Sequence, residues 1–235
     1  MDFQGQTIIV TGASRGIGAA VARAFAAEGG NVVVNYLQNA DAADRTVEAC
    51  KAAGGDAWAV QADVTDSAAI QRMVDTVADE YGRIDTVINN AFRPYAFDPD
   101  NRKRFDELEW SDYRDQVDSA LQSTFNLCHA VLPIMKKRAA GSIVNIATDL
   151  VARAVVPYHE YTTAKSALVG FSRTLAAELG PFGIRVNCVA PGLVYPTDAS
   201  RGTKEAVKDS IIEQTPLRRI ATPEDVTGPV LFLAS

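Results

Sequence analysis

Residues 7–18, with the sequence TIIVTGASRGIG, join a short apolar run to a glycine-rich turn. The β-branched run Thr7-Ile8-Ile9-Val10 indicates a buried strand. Gly12, Gly16 and Gly18 follow directly, and an apolar pattern with helical spacing begins within the turn. A strand that passes through a tight turn into a helix is typical of a parallel α/β sheet.

The glycine turn has the features of a phosphate-binding site. Gly12 permits a tight turn, Gly16 lets the backbone approach a pyrophosphate, and Gly18 permits close packing of the helix. The helix start adds free N–H groups and the positive end of its dipole. The spacing Gly-x-x-x-Gly-x-Gly differs from the commoner Gly-x-Gly-x-x-Gly, so the strand–turn–helix context carries the prediction of a dinucleotide. The alternative is a glycine-rich turn that binds no ligand.

Strand and helix patterns alternate along the rest of the chain. Further strands are predicted at residues 31–36, 57–61, 86–89, 142–146 and 184–189, and helices at residues 17–27 and 68–81. No linker or repeat divides the sequence, so we expect one domain over residues 1–235. Its predicted architecture is an α/β Rossmann fold, a doubly wound parallel sheet with helices on both faces. Polar segments 92–109 and 195–219 follow strands, at the edge where such sheets bind ligands.

The composition is that of an ordinary globular protein, with 47% hydrophobic and 22% charged residues among 235. A net charge of −6 disfavours general capture by nucleic acid or by an anionic membrane. Cys50, Cys128 and Cys188 are odd in number and far apart, which predicts neither a disulfide framework nor a metal site. A leader pattern and a long apolar run are both missing from the sequence, so the expected location is cytoplasmic.

The end of the second predicted strand informs the choice of nicotinamide cofactor. A carboxylate at this point would bind the adenosine ribose and repel a 2′-phosphate. The strand ends instead with Asn35 and Tyr36, and Arg15 in the glycine turn has the charge to pair with the extra phosphate. This pattern predicts NADP(H) in preference to NAD(H). The alternative for Arg15 is a solvent-exposed loop residue.

Tyr161 and Lys165 lie four residues apart on one face of a predicted helix. A tyrosine titrates near pH 10 when unperturbed, and a nearby cation favours its phenolate. Such a pair suits proton exchange with an alcohol or carbonyl oxygen, matched to hydride transfer at a nicotinamide. Taken alone the pair is weak, because most such pairs are simply a helix surface.

Several motifs in order give the chain a clear resemblance to the short-chain dehydrogenase/reductase family. The motifs are the glycine turn, Asp63-Val64, Asn89-Asn90-Ala91, the Tyr161 and Lys165 pair, and Pro191-Gly192. The chain most resembles the 3-oxoacyl-(acyl-carrier-protein) reductase branch, through RVNCVAPG at residues 185–192 and TPEDV at residues 222–226.

This resemblance implies an NADPH-dependent reductase that converts a carbonyl to a secondary alcohol, with 3-oxoacyl thioesters as the leading substrates. It implies that Tyr161 is the acid/base, and that Lys165 lowers the pKa of that phenol and binds the nicotinamide ribose. Thr148 stands where the family has a substrate-orienting serine. The residues implied to bind the cofactor are Gly12, Ser14, Arg15, Gly16, Ile17, Gly18, Asn35, Tyr36, Asp63, Val64, Asn90, Ala91, Tyr161, Lys165, Pro191, Gly192 and Val194.

Two positions depart from the family pattern. Ala120 stands where many members have an asparagine that helps to hold a proton-relay water, and Ser119 or Gln122 are candidate substitutes. Phe92 replaces the last glycine of the fourth-strand motif, and its ring either lines the pocket, shifts the loop, or is loop packing.

Other interpretations stay open at this point. The substrate is alternatively another ketone or secondary alcohol, and the protein is alternatively a dinucleotide-binding regulator with weakened catalysis. Residues 202–219 are either a substrate cover or an ordinary surface helix. The cations at residues 136–138 either complement a helix end or dock an acidic carrier protein.

The apolar helices at residues 110–137 and 161–180 carry more apolar surface than one buried stripe needs. Because the family pairs these two helices across a two-fold axis, the resemblance implies a homo-oligomer, a dimer or tetramer. The sequence stops after residues 232–235, before the last strand that the resemblance implies, so we expect that edge strand to be missing. No nucleic-acid or membrane partner is predicted.

Overall fold

The computed structural model describes residues 1–93, 95 and 97–235. Its strands are β1 (Thr7–Val10), β2 (Asn31–Tyr36), β3 (Asp56–Gln61), β4 (Thr86–Asn89), β5 (Gly141–Ile146) and β6 (Ile184–Val189). They form one parallel six-stranded sheet in the order β3-β2-β1-β4-β5-β6. The predicted α/β class and parallel sheet are confirmed, and each predicted strand agrees with the observed one to within one residue.

Helices connect the strands and cover both faces of the sheet. They are α1 (Gly16–Ala27), α2 (Ala40–Ala52), α3 (Ser67–Tyr81), α4 (Trp110–Val117), α5 (Ser123–Arg138), α6 (His159–Leu179), α7 (Glu205–Gln214) and α8 (Pro223–Ala234). A π-helical segment, Asp118–Gln122, joins α4 to α5. Within the described residues, none of the helices combines the length and the apolar character that crossing a membrane requires.

Two apolar cores lie on opposite faces of the sheet. Alternate residues of β2 point to opposite sides, so Val32 and Val34 join the core under α1, α2 and α8, whereas Val33 joins the core under α3, α5 and α6. In the first core Phe25 packs edge-on against Phe3, with 4.8 Å between ring centroids. Burial on both faces explains why the strands are almost continuously apolar.

The strand order reverses at β1, which lies between β2 and β4. Connections leave the two sides of this point in opposite directions, and the crevice between them is where open α/β sheets bind ligands. Here the glycine turn meets the loop after β4 at very short range. A Cβ atom on Gly12, which has φ of +61°, would lie 2.9 Å from the Cα atom of Ala91. Only glycine fits at this position.

Asn35, at the end of β2, holds the turn from the other side. Its side chain is buried, its Oδ1 accepts a hydrogen bond from Gly12 N at 3.3 Å, and its Nδ2 donates to Ala62 O at 3.0 Å. The amide therefore joins the glycine turn to the segment after β3.

Asn35→Ala should lower the free energy of unfolding by about 1–3 kcal/mol, because it leaves two backbone groups unpaired. Urea denaturation measures this loss. Asn31→Ala is the matched control, since Asn31 lies at the opposite end of the same strand and is partly exposed. Equal losses in the two variants would show that the Asn35 amide does not hold the turn.

Candidate active site

The glycine turn is locked to the end of β4 by Thr11 and Asn90. The Thr11 hydroxyl donates to Ile88 O at 3.2 Å and accepts hydrogen bonds from the backbone N–H groups of Asn90 and Ala91, each at 3.0 Å. Asn90 Nδ2 donates in turn to Thr11 O at 2.9 Å. These bonds fix the backbone of the turn before any ligand arrives.

The start of α1 is suited to an anion. Arg15 at the N-cap makes no capping hydrogen bond with its side chain, and the first turn contains no acidic residue. At α3, by contrast, the Asp66 carboxylate accepts from two backbone N–H groups, at 2.8 and 3.1 Å. A Cβ atom on Gly18 would lie only 2.5 Å from Gly12 O, so the helix packs directly on the turn. The N–H groups of this first turn therefore fit the pyrophosphate of a dinucleotide.

Arg15 forms an ion pair across the groove. Its Nη1 lies 2.8 Å from Asp198 Oδ2, and Arg201 lies 2.8 Å from the other oxygen of that carboxylate. The Arg15 and Asp198 side chains are 57% and 42% exposed, so the pair is worth about 0–1 kcal/mol and is easily exchanged for another partner.

Asp63 and Val64 lie in the segment after β3. Oδ1 of Asp63 accepts hydrogen bonds from the backbone N–H and the hydroxyl of Thr65, at 2.8 and 2.7 Å. Val64 O accepts from Asn126 Nδ2 at 3.0 Å, which ties this segment to α5. The main-chain oxygen of Ser14 is held by the Thr46 hydroxyl of α2 at 3.3 Å.

A cavity of about 630 Å³ lies at the carboxyl ends of β4, β5 and β6. The predicted site residues that line it are Ile17, Asn90, Thr148, Tyr161, Lys165, Pro191, Gly192 and Val194. The other predicted cofactor residues lie along the turn and the strand ends instead of in its lining: Gly12, Ser14, Arg15, Gly16, Gly18, Asn35, Tyr36, Asp63, Val64 and Ala91. The predicted residues thus divide between the cavity and the adjoining groove, which runs along the glycine turn and the ends of β2 and β3.

Tyr161 is buried at the cavity wall, with 8% of its surface exposed. Burial raises the pKa of its phenol to about 12, the Thr148 hydroxyl partly opposes this through hydrogen bonding, and the Asp149 carboxylate adds to it. This direction is opposite to the lowering that the family resemblance implies. The phenol therefore holds its proton firmly at neutral pH.

Lys165 is buried one helical turn further along α6. Its Nζ donates a hydrogen bond to Ile146 O at 2.8 Å, which ties α6 to the end of β5. Burial lowers the pKa of Lys165 to about 8, while the Cys188 thiol opposes this shift. The side chain is therefore mostly protonated at neutral pH.

A cluster of aromatic rings surrounds Tyr161. The ring centroids of Phe92, Tyr95 and Phe97 lie 5.3, 5.2 and 5.0 Å from that of Tyr161. Tyr158 packs edge-on against Phe97 at 5.5 Å. Of the interpretations for Phe92, pocket lining agrees with the structure. Tyr95, Phe97 and Tyr158 are not among the site residues predicted from the sequence. The spacing of Tyr158 and Tyr161, three residues apart at a helix start, is a signal that could have identified Tyr158.

Helix α7 closes one side of the cavity, where Val207 and Ile211 line it. This helix lies within residues 202–219, so the segment is a helix that contributes to the pocket. Leu150, Val156 and Leu193 supply further apolar lining.

Residues 12–235 match the family model described as Enoyl-(Acyl carrier protein) reductase. The 3-oxoacyl-(acyl-carrier-protein) reductase FabG of Staphylococcus epidermidis is 36% identical over 231 residues, which cover 98% of this chain and 91% of that protein. The chain belongs to the short-chain dehydrogenase/reductase family. A 3-oxoacyl-(acyl-carrier-protein) reductase of Synechocystis is 38% identical over 230 residues, 98% of this chain and 89% of that protein.

Solved structures of the short-chain dehydrogenase/reductase family superpose on the whole chain. A 7α-hydroxysteroid dehydrogenase complexed with NADH and 7-oxo glycochenodeoxycholic acid has a TM-score of 0.89 at 30% identity and covers 100% of this chain and 89% of that chain. An NAD⁺-bound xylitol dehydrogenase has a TM-score of 0.87 at 28% identity, with coverages of 100% and 94%. The chain is therefore an oxidoreductase of this family.

The buried Lys165 makes stability depend on pH. Its pKa is 10.5 in an unfolded chain and about 8 in the folded one, so the folded state disfavours the ammonium. The contribution of Lys165 to the free energy of unfolding is least favourable below pH 8, where the side chain is charged in both states. It becomes more favourable between pH 8 and 10.5, because Lys165 loses its proton in the folded chain first. Lys165→Met should therefore be more stable than wild type at pH 7, by on the order of 2 kcal/mol.

Urea denaturation at several pH values measures this difference, which should shrink as the pH approaches 10. Lys137→Met, at an exposed position of α5, is the matched control and should show no such trend. A Lys165→Met difference that stays constant with pH would contradict the depressed pKa.

Proposed function

We propose that this chain reduces a carbonyl group to a secondary alcohol with NADPH as the hydride donor, and that 3-oxoacyl thioesters are its leading substrate class. The observation that carries the proposal is a buried, protonated Tyr161 at the wall of an apolar cavity, beside a turn suited to a pyrophosphate. The protonated phenol lies where it could donate its proton to a carbonyl oxygen as that oxygen gains negative charge, which reduction requires.

Three side chains act at the carbonyl oxygen in this proposal. Tyr161 donates its proton to that oxygen as negative charge develops there. The Thr148 hydroxyl accepts a long 3.4 Å bond from Leu150 N and also hydrogen-bonds with Tyr161, so it would orient the same carbonyl oxygen. Lys165 keeps a positive charge on the same helix face and stabilises the phenolate left behind. A bound nicotinamide would supply the hydride.

The cavity and the relatives support the substrate class. The pocket is predominantly apolar, with Leu150, Val156 and Ile211 among its lining residues, and suits an acyl chain. Relatives at 36% and 38% identity across almost the whole chain are named 3-oxoacyl-(acyl-carrier-protein) reductases.

A second candidate is reduction of a bulky cyclic ketone. The rings of Phe92, Phe97 and Tyr158 give one wall of the cavity an aromatic surface. The 7α-hydroxysteroid dehydrogenase that superposes on the chain was solved with a 7-oxo bile acid derivative. An aromatic wall is suited to packing against a rigid ring system.

NADPH is proposed in preference to NADH because of the charges at the adenosine end of the groove. Arg15 is half exposed in the turn and is held only by the exchangeable pair with Asp198. A 2′-phosphate is a stronger partner for a guanidinium than one carboxylate shared with Arg201. At the end of β2, the amide of Asn35 is used within the fold and Tyr36 carries no charge.

A homo-oligomer, either a dimer or a tetramer, is part of the proposal. Trp110 on α4 and Phe125 on α5 are large apolar side chains with 76% and 51% of their surface exposed. Exposed aromatic residues on neighbouring helices are typical of protein interfaces.

The basic stretch at residues 136–138 gives little support to delivery of the acyl group on an acidic carrier protein, because two of its three cations contact other residues of the chain. Arg138 pairs with Asp85 at 3.1 Å, and Lys136 lies over the Phe182 ring at 4.4 Å. These contacts favour the helix-end interpretation of the stretch, so a coenzyme A thioester is the appropriate test substrate.

Tyr161→Phe should lower the rate of carbonyl reduction at least about 100-fold, because it removes the proton donor. The assay follows NADPH oxidation with acetoacetyl-CoA and with a panel of aliphatic and cyclic ketones. Tyr81→Phe is the control, since Tyr81 binds Asp56 away from the cavity. Turnover only with cyclic ketones would replace the thioester by the second candidate. If NADPH binds and no substrate in the panel turns over, a dinucleotide-binding regulator gains support.

Arg15→Ala should weaken NADPH binding about 10-fold to 100-fold and leave NADH binding nearly unchanged, since it removes a charge-assisted hydrogen bond to the 2′-phosphate. Titration of each cofactor by its fluorescence measures both affinities. Arg23→Ala, which removes an arginine of α1 that pairs with Glu224 at 3.0 Å, is the matched control. Equal losses for the two cofactors would exclude Arg15 as the basis of NADPH preference.

A further inference from the structure

The ammonium of Lys165 is unusually poor in polar contacts. Lys165 has 5% of its surface exposed. Among the described residues, its Nζ donates one hydrogen bond, to Ile146 O. An ammonium has three N–H donors, and a buried charge needs compensation from its surroundings. A neighbour that favours the positive charge would therefore act strongly on this buried ammonium.

That neighbour is the ring of Phe92. Lys165 Nζ lies 4.6 Å from the centroid of this ring, within the range of a cation–π contact. The Phe92 ring also packs edge-to-face with the Tyr161 ring, with 5.3 Å between the ring centroids and an interplanar angle of 84°. One aromatic side chain thus contacts both members of the pair.

The backbone on either side of Phe92 is fixed, so the ring is held in this place. Ala91 N donates to the Thr11 hydroxyl at 3.0 Å, and Ala91 packs against Gly12. On the other side, Arg93 N donates to the Ser119 hydroxyl at 2.6 Å. Both anchors lie in the rigid part of the fold, at the turn and at the helical segment that follows α4.

We propose that Phe92 is a positioning residue that holds the Lys165 ammonium beside Tyr161 through the face of its ring. Its place in catalysis rests on the proposed function, whereas the contact itself does not. A glycine at this position, as the family pattern has, supplies no such face.

The charges around Lys165 set the direction of the expected effect. After burial, the charge of Cys188 on β6 acts to raise the pKa of Lys165, Arg173 on α6 acts to lower that of Cys188, and Asp149 after β5 acts to raise that of Tyr161. Burial disfavours the ammonium, and the ring face favours it. Removal of the ring should therefore lower the pKa of Lys165 further.

The test follows the lysine signals of the full chain by NMR against pH, with ¹³C at lysine Cε. The signal missing from Lys165→Met identifies Lys165. In the wild type we expect this signal to titrate at lower pH than the ordinary lysine pKa of about 10.4, and we expect the ring current of Phe92 to shift its ε protons upfield.

Phe92→Leu keeps an apolar side chain of similar size and removes the π face. It should lower the titration midpoint of Lys165 by up to about one pH unit and abolish the upfield shift. Phe92→Tyr should retain both. Phe97→Leu is the matched control, because it removes a ring that contacts Tyr161 at 5.0 Å, and it should leave the Lys165 midpoint unchanged.

The proposal fails if Phe92→Leu retains both the midpoint and the upfield shift, or if Phe97→Leu moves the midpoint equally. Should Phe92→Leu not fold, the wild-type spectrum decides: an upfield shift of the ε protons supports the contact, and its absence overturns it. None of these readouts requires turnover, so a protein without carbonyl reductase activity would disprove the proposed function while leaving this test intact.

Discussion

The Thr11 hydroxyl joins the glycine turn to the end of β4 by serving three backbone groups at once. It donates to Ile88 O and accepts from the N–H groups of Asn90 and Ala91. Because these bonds lie where the strand order reverses, they set the distance between the groove for the dinucleotide and the loop that enters the catalytic cavity. The junction also fixes the backbone at Ala91, and so the point from which Phe92 extends toward the cavity.

A second set of buried bonds fixes α6, the helix that carries Tyr161 and Lys165. Asn89 Nδ2 donates to Asn145 Oδ1 at 2.8 Å, and Asn145 Nδ2 donates to the Ser172 hydroxyl at 2.7 Å. Lys165 adds a bond to the backbone of β5 almost two turns before Ser172. A buried hydrogen-bond network resists displacement, because each broken bond leaves a polar group unsatisfied in a low dielectric. Helix α6 is therefore held to the sheet at two levels.

The sequence was sufficient to predict the strands and the glycine turn, because a β-branched run needs burial and a tight turn needs glycine. It identified Tyr161 and Lys165 only through the family resemblance, since their spacing alone is common on helix surfaces. It did not reveal that the Asn35 amide turns inward, because that depends on the carbonyl of Ala62, which β3 brings alongside. The Arg15 and Asp198 pair joins residues that are distant in sequence, so no local pattern predicts it.

The packing of the aromatic cluster around Tyr161 could not be predicted from the sequence either, for a different reason. Phe92 and Phe97 belong to a loop without periodicity, and their common contact with Tyr161 exists only after α6 has packed on the sheet. A hydrophobic pattern reports burial along a regular element, and an irregular loop has no such repeat.

The two departures from the family pattern meet in this structure. Phe92 precedes Arg93, Ala120 follows Ser119, and the hydrogen bond from Arg93 N to the Ser119 hydroxyl brings these segments together. An aromatic ring and a methyl group thus stand where the family resemblance implies a glycine and a water-binding amide. Burial raises the pKa of Tyr161 and lowers that of Lys165 at this site. The protonated state of Tyr161 agrees with the proposed role of its phenol as the proton donor to a developing alkoxide.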